Sequence, residues 1–161
     1  MKGIIIILFL LQVCTWASSQ TNSQQCLFDL SIEFSKIRKC DFCQGVYCIY
    51  SDGAFVSIPF NLSKRDQKRL YKNYYRLGLQ NLEKDKFYYD SCIYQPKSYN
   101  TLHFNIKGES QVIKIDPNCD EFEPLDRLSA KNVQKYITLI KKIMHSKKEI
   151  LNAPKSNIIN M

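Results

Sequence analysis

Three cysteines, Cys40, Cys43 and Cys48, fall within the ten residues KCDFCQGVYC at positions 39–48. Thiols at this density serve zinc ligation, dithiol exchange or a disulfide framework. A zinc knuckle needs four ligands at close spacing. Cys40 and Cys43 supply half of one, and His103 and His145 are far along the chain. A redox pair needs its first thiol ionised, usually at a helix N-terminus. Here the pair falls in a turn between two expected strands. Asp41 opposes a thiolate there, while Arg38 and Lys39 favour it. No metal or other cofactor is expected, and a thiol oxidoreductase using Cys40 and Cys43 stands as the alternative function.

The disulfide framework accounts for more of the chain. Six cysteines follow the apolar leader described below: Cys26, Cys40, Cys43, Cys48, Cys92 and Cys119. An even number in an exported domain reads as bridges, and six thiols allow fifteen connectivities. Cys92 precedes and Cys119 follows a hairpin expected around Gly108, so Cys92–Cys119 is the pairing that the order of elements favours.

Other chemistry is sparse. Asp116, Asn118 and Asp120 match three positions of a calcium loop. Glu121 and Arg127 replace its glycine and its bidentate glutamate. The two histidines fall on different elements, and no nucleophile, zinc-protease or phosphate-loop motif is present. Two surfaces remain as binding candidates. One is the aromatic loop KFYYDSCIYQPKSY, with Tyr88, Tyr89 and Tyr94 around Cys92. Tyrosine gives large contact area at low entropy cost. The other is the basic run at 62–82, with Arg65, Arg69 and Lys72 and a single acid, Asp66. A basic helix face attracts anionic surfaces or acidic proteins.

These residues need a scaffold and an address. The chain of 161 residues carries 23 Lys and Arg against 15 Asp and Glu. It opens with Lys2, the apolar run IIIILFLL and the small residues ASS before Gln20. That order is a secretory signal peptide over 1–19, too short to span a bilayer comfortably. The expected location is therefore secreted or periplasmic, with lipidation on Cys14 as the minor form. Residues 20–26 read as a flexible lead-in, 27–148 as one domain, and 149–161 as a frayed polar tail.

Within the domain, LFDLSIEFS alternates strictly: Phe28, Leu30, Ile32 and Phe34 share one face of a strand. GVYCIY-SDG-AFVSIPF is a hairpin about Asp52-Gly53, and YNTLHFNIKGESQVIKID is a second hairpin about Gly108. Leu70, Tyr74 and Leu77 mark a helix opened by Ser63 and Asp66. Val133, Ile137, Ile140 and Met144 mark another, with Ser129 as its expected cap. The order βββαββα predicts an α+β two-layer sandwich: an antiparallel sheet of about five strands, two helices on one face, and disulfide stabilisation. The expected function is non-catalytic macromolecule binding of an inhibitor or immunity type. The expected partner is another protein or an anionic surface, with nucleic acid disfavoured.

Overall fold

The computed structural model describes residues 28–88, 99–116 and 126–156. Strict alternation produces the first strand, β1 (Asp29–Phe34). Its residues Leu30, Ile32 and Phe34 point inward and are buried. β2 (Arg38–Asp41), β3 (Val46–Ser51) and β4 (Ala54–Pro59) follow. Asp52 and Gly53 turn β3 into β4 with φ of 51° and 84°. Two positive φ angles suit the right-handed twist of a two-residue hairpin. After helix α1 (Lys64–Arg76) come a short 3-10 turn (Leu79–Asn81) and β5 (Lys86–Tyr88). β6 (Asn100–Ile106) and β7 (Glu109–Ile115) turn at Lys107 and Gly108 in the same way. Helices α2 (Arg127–Met144) and α3 (Lys148–Leu151) finish the described chain.

The strands form one seven-stranded sheet in the order β4-β3-β2-β1-β6-β7-β5. β5 runs parallel to β7 and every other pair is antiparallel. Phe60 N–H donates to the Gly45 carbonyl at 2.8 Å. This bond fixes the pairing phase and turns the backbone of Phe55, Ser57 and Pro59 off the free edge of β4. Pro59 lacks an N–H, so at an outward position it removes no ladder bond.

α1 and α2 cover the sheet face that presents Leu30, Ile32, Leu102, Phe104, Ile113 and Ile115. A run of rings joins the layers: Tyr74 lies 4.7 Å from Phe104, which lies 5.8 Å from Tyr136. Gln111 bolts the 3-10 turn onto β7. It accepts from the Tyr74 hydroxyl at 2.9 Å and donates to the carbonyls of Leu79 and Leu82 at 3.0 and 2.9 Å. Burial pushes the Tyr74 hydroxyl up to about 12, with smaller contributions from Tyr75 and Glu109.

The α+β two-layer arrangement and both hairpins stand as the sequence predicts, and four expectations are corrected. The sheet is mixed and has seven strands, because β2 and β5 join it with little apolar signal of their own. Ser129 is not the cap of α2. The helix begins at Arg127 behind Asp126, and the Ser129 side chain bonds the Tyr88 hydroxyl instead. The chain does not fray at 149: α3 buries Ile150, and the Lys155 carbonyl accepts from Ser51 at 3.3 Å. Among the described residues no two cysteines bond to each other, and Cys40 and Cys48 are free thiols. The stretches 1–19 and 20–26 lie outside the described residues, and no described helix is long and apolar enough to cross a membrane.

Candidate functional site: a cationic helical layer

α1 opens on a capping box. Ser63 Oγ accepts from Asp66 N–H at 3.1 Å and lies 2.8 Å from Asp66 Oδ2. Asp66 also accepts from Lys147 Nζ at 2.8 Å, which ties the start of α1 to the segment after α2. Burial resists ionisation of this carboxyl. The hydrogen bonds from Lys147 and Ser63, with the charges of Lys147 and Arg69, outweigh it and hold the group below the usual carboxylate range.

The helices lie side by side and antiparallel. Asn132 Nδ2 donates to the Leu77 carbonyl at 3.2 Å, and the Tyr136 hydroxyl donates to the Leu70 carbonyl at 3.3 Å. With Leu70 and Tyr74 inward, the 3.6-residue period turns Arg65, Lys68, Arg69, Lys72 and Arg76 outward, and all five are exposed. With Val133, Ile137, Ile140 and Met144 inward, Lys131, Lys135 and Lys142 face outward on α2. α1 carries six Lys and Arg against one Asp, and α2 carries five against none. Of the chain's 23 cations and 15 acids, this leaves 12 and 14 for all other residues. Among the described residues outside α1 and α2 the count is ten against ten, so the described excess of positive charge lies on these two helices. Helix axes packed about 8–10 Å apart lie within a Debye length at ordinary salt, so the two rows act as one field.

Among the described residues nothing covers the opposite sheet face, which is mixed in charge. Glu33 Oε1 lies 3.7 Å from Lys39 Nζ and 4.0 Å from His103 Nε2. The His103 nitrogen is shielded from solvent and makes no hydrogen bond. Asp29 also borders this face, its carboxyl raised by burial and then by the charge of Asp41. Cys48 Sγ sits 3.4 Å from Ser57 Oγ and pairs across β2 with Lys39. Three strand spacings, about 14 Å, separate Cys48 from His103, too far for a thiol–imidazole pair. His145 ends α2 in the other layer, so the two histidines do not meet.

The structure sorts the residues singled out from sequence. Arg65, Arg69 and Lys72 stand exposed together on α1. Tyr88 is not a surface contact: its pairing in β5 turns it inward, where it is 2% exposed. Tyr89, Tyr94, Cys26, Cys92 and Cys119 lie outside the described residues. Cys43 is disulfide-bonded. Cys40 is fully buried, and burial raises its thiol, with Asp41 and Cys48 adding to the rise. That environment opposes the thiolate that exchange requires. Among the described residues no group of three or more His, Cys, Asp or Glu could hold a metal.

Sequence reasoning missed the contribution of α2. Its lysines are spread along the chain, and only the packing of α2 against α1 places them beside Arg65, Arg69 and Lys72. A count of charge by helix would have shown the excess. Compared with family models, curated proteins and solved structures, the chain matches none.

Proposed function

We propose that this protein is an exported, non-catalytic domain that binds an anionic macromolecular surface through its helical layer. One observation carries the reading: the outward rows of α1 and α2 hold eight cations and no acid. Such a field attracts and orients a partner of opposite charge. The leader supports export. The buried Cys40 weighs against thiol exchange, and the separation of His103 from Cys48 and His145 weighs against a hydrolytic pair.

The test is retention of the mature protein on a polyanion resin, read as the salt needed for elution. Arg65→Glu, Arg69→Glu and Lys72→Glu combined should elute at much lower salt than the parent. A control with the same charge change, Lys36→Glu, Lys107→Glu and Lys155→Glu, sits outside the two helices and should move elution far less. Equal shifts for the two triples would mean that net charge alone governs retention, and the reading would fail.

A further inference from the structure

The helical layer carries exposed apolar residues as well as cations. Leu128 continues the outward row of Lys131 and Lys135 on α2 and is 70% exposed. Leu151 is 61% exposed on α3, beside Lys148 and packed near β4. Val56 of β4 points to this same side of the sheet and is also exposed. The two leucines stand at opposite ends of the layer. Leu128 is where α1 finishes and α2 begins, and Leu151 is just beyond the Asp66–Lys147 junction. Between them run the cationic rows, about 20 Å of α1 and about 27 Å of α2.

Resting on the reading of this layer as an anion-binding face, we propose that its partner is the surface of a bilayer rich in anionic phospholipid. A polyanionic chain would reward the lysines and arginines alone, and an acidic protein would need apolar pockets placed to match both separated leucines. A bilayer interface rewards both classes of residue, because headgroups attract the cations while leucines enter the headgroup–acyl boundary. The layer lies flat against the membrane, with Leu128 and Leu151 inserted at its two ends. Lys64, Arg65, Lys68 and Lys142 meet the phosphates near the Leu151 end. The protein docks peripherally and reversibly, since the attraction is mainly electrostatic and is screened by salt.

Co-sedimentation of the mature protein with vesicles tests this. Vesicles of phosphatidylcholine with about 30 mol% phosphatidylserine should bind it at low salt, and phosphatidylcholine alone should not. Lys64→Glu, Lys68→Glu and Lys142→Glu combined should weaken binding by about 100-fold or more, at about one power of ten for each 1.4 kcal/mol. Leu128→Ser with Leu151→Ser leaves the charge unchanged. It should weaken vesicle binding by about tenfold and leave polyanion elution where it was. Both sets lie on the surface, and an unchanged unfolding midpoint shows that each variant folds. If the leucine variant binds vesicles as tightly as the parent, or if the parent is retained by polyanion but ignores anionic vesicles, the bilayer inference falls and the anion-binding reading stands. If helical and control charge reversals move polyanion elution equally, that reading fails as well.

Discussion

The accessibility of Cys40 gives the sharpest test of the arrangement. Its side chain is fully buried on β2, with β1 and β3 paired on either side. An alkylating reagent reaches it only when this part of the sheet opens. Interior strands open with free energies that approach global stability, about 5–15 kcal/mol. Even the lower part of that range slows labelling by about 1,000-fold or more relative to an accessible thiol. Within the closed sheet the raised thiol also keeps Cys40 protonated and unreactive, so opening is the route to labelling. Cys48 is half-buried on the open face, next to Ser57 and Lys39, and has no such barrier.

The assay is a time course of native alkylation without reductant, followed by peptide mass spectrometry. Cys48 should label within the dead time of a slow reagent. Cys40 should label only in denaturant, and Cys43 only after reduction. A Cys40 that labels within about tenfold of the Cys48 rate would show that β2 is not a closed interior strand. It would also restore the oxidoreductase reading, since an accessible Cys40 beside Cys43 is what exchange requires.

Other perturbations test the scaffold. Gln111→Leu leaves the Leu79 and Leu82 carbonyls and the Tyr74 hydroxyl without their partner, and should cost about 3 kcal/mol or more in urea unfolding. Asp66→Asn should cost about 1–2 kcal/mol near neutral pH, through the lost charged hydrogen bond to Lys147. The folded-state carboxyl lies below its unfolded value, so this contribution is complete above the unfolded pKa. It disappears as pH falls through the folded one, and parent and variant should converge in acid melts. Gly45→Ala should destabilise more than Gly53→Ala. Both sites have positive φ, but only at Gly45 does a Cβ meet a backbone atom, the Phe60 carbonyl oxygen at 2.5 Å.

The elements legible in the sequence carry their own period. β1 alternates without a break, and α2 repeats Val133, Ile137, Ile140 and Met144. β2 was invisible because its four residues, RKCD, bury only Cys40, and Arg38 contributes by lying over the Phe34 ring at 5.9 Å. Two flanking strands hold it, and no local window contains them. β5 has three residues and a partner, β7, more than twenty residues away. Tyr88 read as a loop ring for the same reason, since the pairing that turns it inward is long-range. The basic face of α1 was legible as a run of charge. Its extension onto α2 was not, because adjacency of two helices is a tertiary fact.

The fold itself gives no reason for this charge distribution. Along α1, Lys64 and Lys68, Arg65 and Arg69, Lys68 and Lys72, and Lys72 and Arg76 stand four residues apart with like sign. Each such pair weakens a helix by roughly 0.2–0.5 kcal/mol, so the four together cost about 1–2 kcal/mol. α2 begins with Arg127 and has no acid in its first turn, which sets a cation against the positive end of the helix dipole. Three lysines outside these helices are held by acids: Lys147 by Asp66, Lys39 by Glu33, and Lys86 by Asp126. Acids are plentiful in the remainder of the chain, yet one reaches the two helices, and it is spent at the cap. A layer shaped only by stability would alternate its signs at four-residue spacing, and this one does not. What offsets its self-repulsion is then outside the chain, as counterions in solution or as the fixed negative charges of a partner. Because displacing the counterions into solution is itself favourable, a helical layer built this way is poised to exchange the first for the second.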